Sequence, residues 1–122
     1  MENVAESTRS EIQEILANVD HDWGFLAELV EMLEVDSFEL ATKVQRAVEE
    51  GNPEELMEEA HALKSILSHV TQGPCFQLAA ALESAGRNRD LAGTREPAWQ
   101  LDAALHQLIS SLKHIVAAEG AA

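Results

Sequence analysis

Apolar residues recur every three or four positions along almost the whole chain, and this spacing predicts helices throughout. The first predicted helix begins at a cap on Ser7 or Thr8 and ends near Asn18. Its narrow apolar stripe consists of Ile12, Ile15 and Leu16. Tyrosine is absent, β-branched clusters are few and no Asn-Gly hairpin turn occurs, so the pattern gives little support to strands.

Polar and turn-forming residues divide the rest of the chain into further predicted helices. Asp20 or Asp22 can cap a helix over about 23–34, and Asp36 or Ser37 can cap one over about 37–50. The segments 51–53 (GNP) and 71–74 (TQGP) each combine a glycine with a proline, which suits a helix end followed by a helix start. The remaining predicted helices span about 53–70, 74–87 and 96–117.

Short connections between long amphipathic helices are typical of antiparallel neighbours. The sequence therefore predicts an all-α fold, an antiparallel up-and-down four-helix bundle with one or two additional N-terminal helices. Residues 8–117 would form a single domain, which suits a chain of 122 residues. We expect residues 1–7 to be a flexible N-terminus and residues 118–122 a flexible tail.

The predicted helix over 53–70 carries a histidine on the side that should face solvent. At about 100° per residue, the apolar side chains of this helix cluster on the half opposite His61. The residues flanking the histidine on its own side are Glu54, Met57, Glu58, Lys64, Ser65 and Ser68. An imidazole in that position is either an inert surface residue or a reaction centre.

The formal net charge of −14 narrows the possible partners. Phosphate backbones and anionic membranes attract Lys and Arg, so neither nucleic acid nor a membrane surface fits so acidic a chain. No stretch approaches 18 consecutive apolar residues, and the acidic N-terminus has no apolar core of a secretory signal. We therefore expect no membrane insertion and a cytoplasmic location.

Other candidate chemistries have weaker support. Cys75 is the only cysteine and lies on a predicted inward stripe, as a small buried residue would. Glu58 and His61 match the Glu-x-x-His spacing of di-iron bundles, but such sites need two of these motifs and two further glutamates inside the core. A carboxylate and histidine metal-binding bundle remains a remote alternative.

His61 has a specific chemical context for phosphoryl chemistry. A neutral imidazole is a good nucleophile, and a phosphoryl group brings nearly two negative charges that a nearby cation would offset. Lys64, one turn further along, lies on the same helical face. Ser65 is small enough for another protein to approach the ring, and Met57 adds a soft apolar side chain for docking.

These residues resemble the signature of histidine-containing phosphotransfer (HPt) domains. The histidine segment of that signature corresponds to residues 60–65, which read AHALKS, and a following Leu-Glu-x-x-x-Arg pattern corresponds to residues 82–87, LESAGR. The resemblance extends over roughly residues 22–115. It implies that His61 is the phosphorylated histidine and that Lys64 stabilises the phosphoryl group. Glu83 and Arg87 are interpreted as an i, i+4 pair that supports their helix.

The resemblance also implies the role of the whole chain. His61 would accept a phosphoryl group from the aspartyl-phosphate of a receiver domain and pass it to another response regulator. The partners would be receiver domains or a hybrid sensor histidine kinase, and Met57, Ser65 and Ser68 would contribute to docking. The chain would need no cofactor of its own, with Mg²⁺ bound by the receiver. It would be a carrier without ATP-dependent kinase activity, since it has no Gly-rich nucleotide loop.

The chain departs from the HPt pattern at two positions. Ser65 replaces the usual glycine, and Thr71 stands where a second small glycine is common. An alternative function is a bundle-shaped adaptor that binds a kinase or receiver domain without carrying phosphate.

Overall fold

The computed structural model describes residues 4–120, with side chains from 10 to 119, and forms five helices. They are α1 (Val4–Asn18), α2 (Trp23–Glu50), α3 (Pro53–Ser68), α4 (Pro74–Arg87) and α5 (Arg95–Gly120). No strand occurs in this part of the chain. The all-α prediction is confirmed.

Local sequence accounts for the helix ends. Asp22 caps α2 by accepting a hydrogen bond from the Phe25 N–H at 3.0 Å. At the other end of α2, Gly51 adopts the left-handed conformation with φ of 66°, which glycine reaches without steric cost. Asn52 caps α3 through the Glu55 N–H, and Pro53 occupies its first turn.

The predicted break between residues 34 and 37 is wrong, because α2 continues through it without interruption. Asp36 and Ser37 suit a helix cap, but neither glycine nor proline stops the helix there. Ser37 lies on the buried stripe of α2 between Leu33 and Ala41, so packing along that stripe overrides the local capping preference. The cost is a buried Ser37 hydroxyl with no hydrogen-bond partner among the described residues.

Helices α2 to α5 form a helical bundle in which each packs on two others. Helix α3 lies between α2 and α4, and α5 closes the bundle by packing on both α4 and α2. The interior consists of aliphatic side chains from all four helices, and its largest fully buried members are Leu26, Leu33, Leu56, Leu63, Leu67, Leu82, Leu101, Leu105, Leu108, Ile109 and Leu112. One additional helix, α1, packs on α5 and buries Ile12 and Ile15.

The terminal helices extend further than the sequence pattern indicates. Helix α1 begins at Val4 instead of Ser7 or Thr8, and α5 continues to Gly120. Residues 1–3 and 121–122 of the predicted flexible ends lie outside the described residues. None of the described helices is both long and apolar enough to span a membrane.

Helices α3 and α4 approach each other closely enough for their backbones to touch at Gly86. A β-carbon there would lie 2.6 Å from the Met57 nitrogen and 2.7 Å from the Pro53 carbonyl oxygen. Both are backbone atoms, which cannot rotate away as a side chain can. Glycine at this position therefore sets the spacing between the two helices.

We predict that Gly86→Ala lowers the free energy of unfolding by about 1–3 kcal/mol, because the added methyl group forces α3 and α4 apart. Chemical denaturation measures this change. Gly24→Ala in α2 is the matched control, since its nearest neighbour would be Asp22 Oδ1 at 3.7 Å. The control should be neutral or stabilising by up to about 1 kcal/mol. Equal effects of the two substitutions would contradict the close approach.

Candidate phosphotransfer site

His61 lies on the outer face of α3, as its helical position predicts. Its side chain is 60% exposed, whereas Ala60 and Leu63, its near neighbours in the chain, are fully buried. The N-cap at Asn52 and the proline that follows fix where α3 begins. The buried stripe of α3 fixes the rotation of the helix, which presents the imidazole to solvent.

A buried carboxylate of α4 makes a hydrogen bond with the ring of His61. Glu83 is only 3% exposed, and its Oε2 lies 2.9 Å from His61 Nδ1. Arg87 Nη2 donates to the same oxygen at 2.7 Å. Lys64 Nζ lies 2.6 Å from Oε1 and forms an ion pair with it. One buried carboxylate thus joins the three polar side chains of the site.

The protonation state of Glu83 follows from these contacts. Burial raises the pKa of the carboxyl, but the positive charge and hydrogen bonding of Lys64 and His61 outweigh it and leave the pKa below its ordinary value of 4.5. At neutral pH the group is therefore an anion, and an ionised carboxylate only accepts hydrogen bonds.

The tautomer of His61 is fixed by this acceptor. Nδ1 must carry the proton that it donates to Glu83, so in the neutral ring the lone pair is on Nε2. Nε2 makes no hydrogen bond to the described residues. The site therefore presents a nucleophilic nitrogen on an exposed ring whose orientation is fixed by its other nitrogen.

The positive charge around His61 comes from α3 and α4. Lys64 is 30% exposed and Arg87 59% exposed at the side chain, so both ends of the carboxylate meet a cation that also reaches solvent. In a chain with 8 Lys and Arg against 22 Asp and Glu, this is a local concentration of cations.

The predicted docking residues occupy the same face of α3 with different exposure. Ser65 and Ser68 are exposed, and the Ser68 hydroxyl donates to the Ser65 carbonyl at 2.6 Å. Met57 is half-buried, and its backbone lies close to Gly86 of α4. The structure brings these side chains to the histidine's helix face, and their part in docking stays a prediction.

The remaining candidate groups lack this arrangement. Cys75 is buried, and burial together with the charge of Glu11 raises the pKa of its thiol to about 12, so it is not a thiolate at neutral pH. His106 is exposed and stacks on Phe38, and its Nδ1 lies close to the backbone carbonyl and the carboxylate of Asp102. Among the described residues, no three His, Cys, Asp or Glu side chains gather as they would around a metal ion.

Sequence reasoning missed the central role of Glu83. The predicted helical pair with Arg87 exists, but the same carboxylate crosses to α3 and binds His61 and Lys64. Its position at the edge of the buried stripe of α4, directly after Leu82, was the available signal. A charged residue at such a position is buried only when its charge is paired.

We predict that 15N NMR of the neutral imidazole finds the proton of His61 on Nδ1. In Glu83→Ala the acceptor is lost, so the tautomer with the proton on Nε2 should become populated. Glu58→Ala is the matched control, because it removes an exposed carboxylate from the same face of α3 and should leave the tautomer unchanged. A proton on Nε2 in the unmodified protein would contradict the assignment.

Comparison with known protein families identifies the domain. A model of the Hpt domain matches residues 28–112, well over half of the chain. No curated protein and no solved structure matches the sequence. Hpt domains carry phosphoryl groups in phosphorelays, are not kinases, and interact with receiver domains and kinases. With this match over the bundle that holds His61, the chain belongs to the Hpt domain family.

Proposed function

We propose that His61 is the residue through which this chain carries a phosphoryl group between receiver domains. The observation that carries the proposal is the contact of Nδ1 with the buried carboxylate of Glu83. It directs the lone pair to Nε2 on an exposed ring. Among the described histidines, His61 is the one that pairs this contact with a lysine and an arginine on the same carboxylate.

The transfer step follows from the tautomer. Nε2 attacks the phosphorus of an aspartyl-phosphate, and the N–P bond forms as the bond from phosphorus to the aspartyl oxygen breaks. The aspartate leaves as a carboxylate, and the imidazole, which keeps its Nδ1 proton, acquires positive charge. Glu83 lies 2.9 Å from that nitrogen and neutralises the developing charge. The reverse step returns the phosphoryl group to another receiver.

Lys64 is the cation that would stabilise the phosphoryl group once it is on His61. The group adds nearly two negative charges beside an already acidic protein. The side chain of Lys64 is 30% exposed, so its ammonium can turn from Glu83 Oε1 towards the phosphoryl oxygens. Arg87 stays on Oε2, so Glu83 keeps a counter-charge when Lys64 moves.

The partners we propose are receiver domains of response regulators and a hybrid sensor kinase. The receiver would supply the Mg²⁺ and most of the electrostatic stabilisation of the transferring group. This chain would supply a positioned nucleophile, a cation and a docking face that includes Met57, Ser65 and Ser68. It would remain a carrier, with its own histidine as the covalent intermediate.

We also infer that the bundle runs up and down, with antiparallel neighbours. The ion pairs of α3 support this. Glu54, in the first turn of α3, meets Arg89 just after the end of α4, whereas His61, later in α3, meets Glu83, which comes earlier in the chain than Arg89. Contacts between α2 and α5 follow the same order, with Lys113 on Glu34 and His106 on Phe38. His61 lies in the middle of α3 and therefore away from both ends of the bundle.

We predict that a ³²P-labelled receiver domain transfers label to this chain in acid-labile form, and that His61→Gln abolishes the transfer. Lys64→Ala should slow transfer or shorten the lifetime of the phosphohistidine about 10-fold or more, because the phosphoryl charge loses its cation. Transfer rates from each receiver domain of the source organism, followed by autoradiography, provide the measurement.

His106→Gln is the matched control, since it removes an exposed histidine of the same chain and should transfer at the unmodified rate. Circular dichroism should show the same helix content in all variants. Undiminished labelling of His61→Gln would eliminate the proposal. Binding of a receiver without any transfer of label would instead select the adaptor function.

A further inference from the structure

A second carboxylate is buried far from the His61 site and has no part in phosphoryl transfer. Glu11 of α1 is only 8% exposed. It lies beside Ile12 on the face by which α1 packs on the bundle, and Ile12 and Ile15 are buried there. A carboxyl group in such a place needs hydrogen-bond partners, and its ionised form needs a positive partner as well.

The connection between α3 and α4 supplies one hydrogen bond to Glu11 and a second that supports it. The Thr71 hydroxyl donates to Glu11 Oε2, and the Gly73 N–H donates to Thr71 Oγ1 at 2.9 Å. A β-carbon at Gly73 would overlap the Glu11 carboxylate, so glycine leaves the space into which Glu11 fits. Thr71 is one of the two positions at which the chain departs from the HPt pattern, and its hydroxyl is the group that Glu11 binds.

No positive partner accompanies these hydrogen bonds among the described side chains. Among the described side chains of its own helix, Glu14 contributes a carboxylate whose negative charge raises the pKa of Glu11. From α4, Glu11 faces the thiol of Cys75, which is neutral. Lys113 of α5 is paired with Glu34 of α2, and none of the ion pairs between described side chains involves Glu11. Ionisation of Glu11 therefore places a charge in a buried position with no cation beside it among the described side chains.

We propose that α1 is a releasable strap, held on the bundle while Glu11 is protonated and loosened when Glu11 ionises. The Thr71 contact survives protonation, because a protonated carboxyl keeps an oxygen that can accept the hydroxyl. What ionisation adds is the cost of burying a charge. Release would uncover Ile12 and Ile15 together with the surface of α5 on which they pack. This inference is independent of the phosphoryl transfer assigned to His61.

The direction of the pH dependence follows from burial. Burial raises the pKa of Glu11 above its ordinary value of 4.5, the Thr71 hydrogen bond lowers it in part, and Glu14 raises it again. An acid whose pKa is higher in the docked state favours docking most strongly below the ordinary value. That contribution declines as the pH rises from 4.5 through the raised pKa, and above the raised value it is absent.

Hydrogen exchange of the intact chain tests the strap. After correction for intrinsic rates, we expect the amides of Ile12 and Ile15 to exchange faster as the pH rises from 4 to 8. The increase should be about tenfold for each unit by which docking raises the pKa of Glu11. In Glu11→Gln, a neutral side chain of the same shape, the corrected rates should stay at the low-pH value of the unmodified protein.

Glu14→Gln is the matched control, because it removes an exposed carboxylate from the same helix. Its exchange rates should keep the pH dependence, with a midpoint shifted to slightly lower pH. Corrected rates that are constant in the unmodified protein, or that rise equally in Glu11→Gln, would overturn the proposal. If Glu11→Gln also loses protection in α2 to α5, the 13C carboxyl titration of Glu11 in the unmodified protein decides: a midpoint at 4.5 overturns the strap, and a raised one supports it.

Discussion

The contact between the buried carboxylate of Glu83 and the ring of His61 is the interaction on which the site depends. It links two helices, fixes which imidazole nitrogen carries the proton, and holds the cations that flank the ring. A carboxylate this buried is stable as an anion only because each of its oxygens meets a positive or proton-donating partner. The spacing of α3 and α4 at Gly86 brings these partners within reach.

The site also resolves an electrostatic conflict. A phosphoryl group is strongly negative, and the protein that would receive it has a net charge of −14. Glu83 holds Lys64 and Arg87 beside the histidine, and these two cations offset the charge of its buried carboxylate. The carboxylate therefore serves the ring directly and organises the cations at the same time. Glu11 of α1, which contacts Thr71 just after the end of α3, is in the opposite situation. Its buried carboxyl has a hydrogen bond from Thr71 but no cation beside it among the described side chains.

Much of this architecture could be predicted from local sequence. Gly51 with Pro53, and Gly73 with Pro74, mark helix boundaries by backbone properties that do not depend on the rest of the fold. Angular position alone places His61 and Lys64 on one solvent-facing side. The continuity of α2 across Ser37 was not predictable in this way, because it depends on what packs beneath that residue.

The role of Glu83 was hidden for a related reason. Spacing within α4 pairs it with Arg87, and that pair exists, but its contacts with α3 depend on how two helices align, which no single helical pattern contains. The link between Glu11 and Thr71 is similar, since 60 residues of chain separate them. Helix periodicity thus locates His61, the proposed nucleophile, and Lys64, the neighbouring cation, whereas the carboxylate that orients them comes from another helix.

We propose that Glu83 selects Nε2 of His61 as the phosphoryl acceptor. NMR of the phosphorylated chain labelled with 15N-histidine tests this directly, because 31P–15N coupling identifies the nitrogen bonded to phosphorus. We expect coupling to Nε2 of His61, with the proton still on Nδ1. Coupling to Nδ1, or to a nitrogen of another histidine, would contradict it.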